Sequence, residues 1–90
     1  MATPFEIEDQ GEHEFVVRLR TPAETVETWF RLTPAVLDGL GLAEAEETDV
    51  IRRSVDFLLR HQDAEDFPRI LELEDLLAVY EDYPAALRAD

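Results

Sequence analysis

The chain contains no cysteine and no lysine. Without cysteine there is no disulfide framework and no thiolate chemistry. Without lysine the eight cationic side chains are all arginine, and they face 22 acids, for a formal net charge of −14. So lopsided a balance costs stability through self-repulsion and favours solubility. It also repels nucleic acid, whose affinity comes mainly from Lys and Arg neutralising phosphates, and it disfavours anionic membranes. Long apolar runs are missing too. None approaches the ~18 residues of a spanning helix, and no basic stretch leads into an apolar one as in a signal peptide. A cytoplasmic location is therefore the default expectation. Glycine is scarce, and Gly39-Leu40-Gly41 closes a helix instead of opening a phosphate-binding loop. The acidity has two candidate origins. One is a high-salt cytoplasm, where the Debye length shrinks to about 3 Å at molar salt. The other is a GC-rich genome, in which Arg displaces Lys, joined to an acidic partner-binding surface.

What is present is enough for a core. A hydrophobic content of 46% argues against disorder. Ninety residues make one domain, 1–90, with 1–4 and 89–90 as frayed ends. A chain this short buries roughly 60–65% of the surface its unfolded form exposes, so its margin is thin.

Alternation marks the strands. Phe5-Glu6-Ile7-Glu8 reads as a short edge strand, and Asp9-Gln10-Gly11 as a turn with Gly11 free to take positive φ. From Glu12 to Arg20, Phe15, Val17 and Leu19 share one face, while Glu14, Val16, Arg18 and Arg20 share the other. From Thr25 to Leu32, Val26, Thr28, Phe30 and Leu32 alternate with Thr25, Glu27, Trp29 and Arg31. Thr21-Pro22-Ala23-Glu24 joins the two as a hairpin turn; the same residues also fit a capping box with Pro at N1.

Helical spacing follows. Thr33 caps a short helix opened by Pro34 and closed by Gly39 and Gly41. Thr48 is expected to cap the main helix, which runs to about Gln62 with Ile51, Val55, Leu58 and Leu59 as its core stripe. Asp63 to Pro68 reads as a loop. A last helix, Leu73 to Tyr80, buries Leu73, Leu76, Leu77 and Tyr80 and is stopped by Pro84. The fold class is therefore α+β: an antiparallel hairpin, with a possible third strand from Phe5, packed on about three helices.

This order of elements, with Phe57-Leu58-Leu59-Arg60, then Ile70-Leu71, Leu73, Leu77 and Tyr83-Pro84, resembles a group of small uncharacterised bacterial proteins over residues 12–88. The resemblance implies a fold and carries no activity. A second one rests on Trp29-Phe30-Arg31-Leu32-Thr33-Pro34 and the helix at Asp49 to Gln62. This order is similar to that of ribbon-helix-helix regulators and antitoxins, which share one strand between two chains and read the major groove with it. It would imply a two-fold dimer and duplex binding through Arg18, Arg20 or Arg31. The chain departs from it in having a second strand of its own and in its charge.

Three clusters could carry chemistry. Arg18, Arg20 and Arg31 share the outer hairpin face with Trp29, which suits an anion contact with a stacking platform. The plainer reading pairs them across strands with Glu14 and Glu27. His61 with Asp63, Glu65 and Asp66 offers a cation ligand set, but at no recognised spacing; the plainer reading is a histidine at a helix C-terminus before a solvated acidic loop. His13 is expected on the strand face of Phe15 as a rim residue. Neither histidine has a Ser or Cys partner that would suggest a nucleophile. The expectation is a chain with no catalytic residues, no cofactor and no bound metal. Helices can cover only one face of so small a sheet. Val16 and Trp29 would then stay apolar and exposed on the other, flanked by Arg18, Arg20 and Arg31, and would meet a second copy or another protein.

Overall fold

The computed structural model describes residues 4–88. Its architecture is α+β: a four-stranded mixed sheet with helices packed on one face. Strands β1 (Phe5–Gly11), β2 (Glu14–Arg20) and β3 (Thr25–Arg31) form an antiparallel meander. Helices α1 (Pro34–Gly39) and α2 (Glu47–Leu59) follow, then a 3-10 turn (Ala64–Asp66). A three-residue strand β4 (Ile70–Glu72) returns to pair parallel with β3. Helices α3 (Leu73–Val79) and α4 (Tyr83–Arg88) complete the chain.

The alternation in β2 and β3 does what period-2 patterning requires. Phe15 lies opposite Phe30, Val17 opposite Thr28 and Leu19 opposite Val26, all toward the helices. Phe5 and Ile7 of β1 join that face beside Leu19 and Val17. Of the expected frayed residues, 1–3 and 89–90 lie outside the described chain. Pro4 is tied down, because its carbonyl accepts from the Arg20 N–H at 2.9 Å.

The ends of α1 match their sequence signals. Thr33 Oγ1 accepts from the Val36 N–H with Pro34 in the first turn. Gly41 takes φ +74°, its N–H donates to the Asp38 carbonyl, and the Leu42 N–H donates to the Leu37 carbonyl at 2.8 Å. That is a Schellman closure, which needs the left-handed residue that glycine supplies most cheaply.

Several expectations are corrected. α2 begins one residue before Thr48, with extended Glu46 as an N-cap lacking a side-chain bond. Glu47 and Asp49 in its first turn stabilise that end through the helix dipole instead. Its stripe buries Ile51, Val55 and Leu58 with Val50 and Phe57, while Leu59 is only half-buried. Between the expected loop and last helix, Ile70–Glu72 form a short strand that the sequence pattern does not mark. Pro84 does not end the chain's helices: it is the second residue of α4, where its missing N–H costs nothing. α4 is pinned to α2 at two points. Tyr83 Oη meets Ser54 Oγ at 2.6 Å, and Arg53 donates to the Leu87 carbonyl at 2.6 Å.

Candidate functional site

The uncovered face of the sheet is the candidate site. The registers place its residues in cross-strand rows. Glu8, Val16, Trp29 and Ile70 form one row, Glu6, Arg18 and Glu27 a second, and Glu14, Arg31 and Glu72 a third. Arg20 lies opposite Thr25 at the end. Helix side chains fill the other face, so these rows look outward.

The arginines of this face are paired with carboxylates. Arg18 bridges Glu8 at 2.8 Å and Glu27 at 3.2 Å, Arg20 meets Glu6 at 2.7 Å, and Arg31 approaches Glu14 at 3.9 Å. Hydrogen bonds to Glu8 and then Glu27 hold the Arg18 guanidinium still more firmly protonated. All four pairs are substantially exposed, so water and salt screen them and each contributes little to stability. Their larger effect is on charge: they neutralise one side of a very acidic molecule.

Val16 corrects an expectation. It is 3% exposed, not an open apolar patch. Its strand is central. Glu8 and Trp29 flank it in register, and the Arg18–Glu8 bridge runs diagonally beside it. Trp29 is half-buried, and the apolar row continues to Ile70, which is 52% exposed. Trp29, Ile70, Arg31, Arg69, Glu14 and Glu27 line an open hollow of about 490 Å³. The Arg69 guanidinium makes no hydrogen bond or ion pair among the described residues, and only its backbone carbonyl is engaged, by the Trp29 N–H. Neither Ile70 nor Arg69 was expected here. Both arrive with β4, from far along the chain, and no periodicity in three residues could announce them.

Both histidines lie elsewhere. His13 is not on a strand face. It sits with Glu12 in the two-residue turn between β1 and β2, with φ values of +64° and +53°. Two positive-φ residues define the primed hairpin turn, usually made by Asn-Gly. His13 Nδ1 lies 2.7 Å from Glu47 Oε2, which ties that turn to the start of α2. His61 packs on Phe57 and Tyr80, with ring centroids 4.5 and 4.9 Å away, and its nearest carboxylate is Asp82 at 3.9 Å. Asp63, Glu65 and Asp66 do not converge on it. Among the described residues no three His, Asp or Glu side chains gather as a metal site.

The strand that a ribbon-helix-helix dimer would share is β3, and here β2 and β4 occupy both its edges. Among the described residues no helix is long and apolar enough to cross a membrane. Comparison with known proteins finds no matching family model, curated protein or solved structure.

Proposed function

We propose that the chain is a non-catalytic protein-interaction module that pairs with a second copy of itself through the outer face of the sheet, centred on Trp29. The observation that carries this reading is the charge of that face. Five glutamates (Glu6, Glu8, Glu14, Glu27 and Glu72) stand against four arginines (Arg18, Arg20, Arg31 and Arg69), a net of −1 on a chain of −14. Elsewhere two copies repel. Here apolar surface on Trp29 and Ile70 is surrounded by alternating charges that a two-fold partner can complement.

The size of the face sets the strength. Strands about 4.8 Å apart and residues about 3.3 Å apart, over three seven-residue strands and the three residues of β4, give a face of about 380 Å². That is below the ~800 Å² per partner of a standard interface, so association of order 10 μM or weaker is expected. Light scattering on a sizing column at low and high salt tests this. A dimer at about 0.5 mM that Trp29→Ala dissociates, with unchanged helicity, supports the reading. A monomer at every concentration, or a Trp29→Ala chain that loses its fold, counts against it. Assembly only at high salt would assign the acidity to salt adaptation.

A further inference from the structure

The second exposed surface is the free edge of β4. Among the described residues, only two large apolar side chains are exposed, Ile70 at 52% and Val79 at 69%, and both lie at this edge. The Trp29 N–H donates to the Arg69 carbonyl at 2.8 Å, which turns the backbone of residue 69 toward β3. Alternate residues of a strand face opposite neighbours, so the N–H and C=O of Ile70 point out to the open edge.

A hollow opens on each side of that edge. On the outer side is the 490 Å³ hollow of Trp29, Ile70 and Arg69. On the helix side is one of about 280 Å³, lined by Leu71, Asp75, Leu76, Val79 and Tyr80. Ile70 borders both. A strand added beside β4 would send successive side chains to opposite faces, one into each hollow, while its backbone bonds Ile70. Main-chain bonds for affinity and alternating pockets for selectivity are the marks of strand addition.

We infer that the β4 edge receives an extended segment of a partner protein, with large apolar residues at successive positions and Lys or Arg on both flanks. The apolar requirement comes from the two hollows and the two exposed side chains they hold. The basic flanks follow from charge. The helix-side hollow contains an acid and no cation, Glu72 and Glu74 adjoin it in sequence, and the whole chain is strongly negative. Two copies joined edge to edge would each carry the same acids, Glu72, Glu74 and Asp75, to the shared edge, which disfavours self-pairing there. The inference does not rest on the homodimer. Val79 lines the helix-side hollow and not the outer one, so it reports on strand addition alone.

The test uses three fluorescein-labelled peptides. One has a Val-Ile-Val-Ile core between Lys pairs, one the same core between Glu pairs, and one a proline inside the Lys-flanked core. Fluorescence anisotropy is expected to show binding of the first, with both others weaker by about ten-fold or more at low salt. Val79→Ser, at an exposed site that leaves the core intact, is expected to weaken the first by about three-fold or more. Amide exchange at Ile70 should slow when it binds. Equal binding of the proline peptide would reduce the effect to bulk charge and overturn strand addition. Equal binding of the Glu-flanked peptide would overturn the basic partner, and no binding by roughly 1 mM would overturn the site. Concentration-dependent protection of the Ile70 amide in the free protein would assign the edge to a second copy. A protein monomeric at all concentrations would end the dimer reading and leave this one standing.

Discussion

Ser54→Ala is expected to destabilise the fold more than Tyr83→Phe, although both remove the same hydrogen bond. Both side chains are fully buried, and they join α2 to α4, which holds the helical layer on one side of the sheet. Ser54 Oγ donates to the Val50 carbonyl at 2.8 Å. Its one hydrogen is therefore committed, and in the 2.6 Å contact Tyr83 donates while Ser54 accepts. Ser54→Ala leaves a buried phenol with no acceptor, at about 1–3 kcal/mol. Tyr83→Phe leaves Ser54 still bonded to Val50 and costs only about 0.5–1.5 kcal/mol. The double variant strands nothing, so its loss should fall short of the sum of the two by about 1 kcal/mol. Urea unfolding at neutral pH, followed by far-UV circular dichroism, measures all three. In a domain this size about 1 kcal/mol moves Tm by roughly 4–8 °C. A Tyr83→Phe loss equal to or above that of Ser54→Ala, or strict additivity, would refute the reasoning. The same pair has an alkaline signature. Burial pushes the Tyr83 phenol from its ordinary 10.0 up to about 12, with the Ser54 bond offsetting part of the rise. A raised folded-state pKa stabilises fully below the unfolded value, and that stability is lost as pH climbs through the folded one. Between pH 10 and 12 the native chain should therefore lose on the order of 3 kcal/mol that Tyr83→Phe cannot lose. Parallel stability profiles for the two proteins in that window would contradict the assignment.

Three further outcomes are expected. Thr28 Oγ1 is buried on the core face of β3 with no partner among the described residues, so Thr28→Val should stabilise by about 1 kcal/mol; a loss of stability on urea unfolding would show that the hydroxyl is satisfied. Gly41→Ala should cost about 1–2 kcal/mol, because the α1 closure holds φ at +74° and open space around the residue offers no packing gain; an unchanged Tm would mean that the turn relaxes at no cost. Glu12→Asn should raise Tm by roughly 2–5 °C, since asparagine tolerates the +53° φ of the β1–β2 turn better than glutamate does; a fall in Tm would mean that Glu12 makes a contribution beyond its backbone.

The readable parts of the fold are those in which one local pattern decides one local structure. Phe15, Val17 and Leu19 alternate over a full strand, and Thr33-Pro34 with Gly41 brackets α1 by cap chemistry alone. Residues 70–72 are too few to show a period, and their strand exists because β3 offers an edge. Pro84 reads as a stop when the chain before it is taken as a continuing helix. It becomes a start once Tyr80 leaves helical geometry. At the site, Arg18, Arg20, Trp29 and Arg31 were legible because they share one face of one hairpin. Arg69 and Ile70 were not, because the face gains them from a crossover.

By itself the sequence determined the absence of thiol chemistry, the net charge of −14, the division of the hairpin into two alternating faces and the stripe of α2. These are sums over composition or repeats over a few residues, and they need no knowledge of distant partners. Tertiary structure alone decided that Val16 is buried, that His13 reaches Glu47, that the face around Trp29 is nearly neutral, and that Ile70 and Val79 border one open edge. Each of these depends on which distant segment arrives beside it. That choice is made by the packing of the whole core, which no window of a few residues contains.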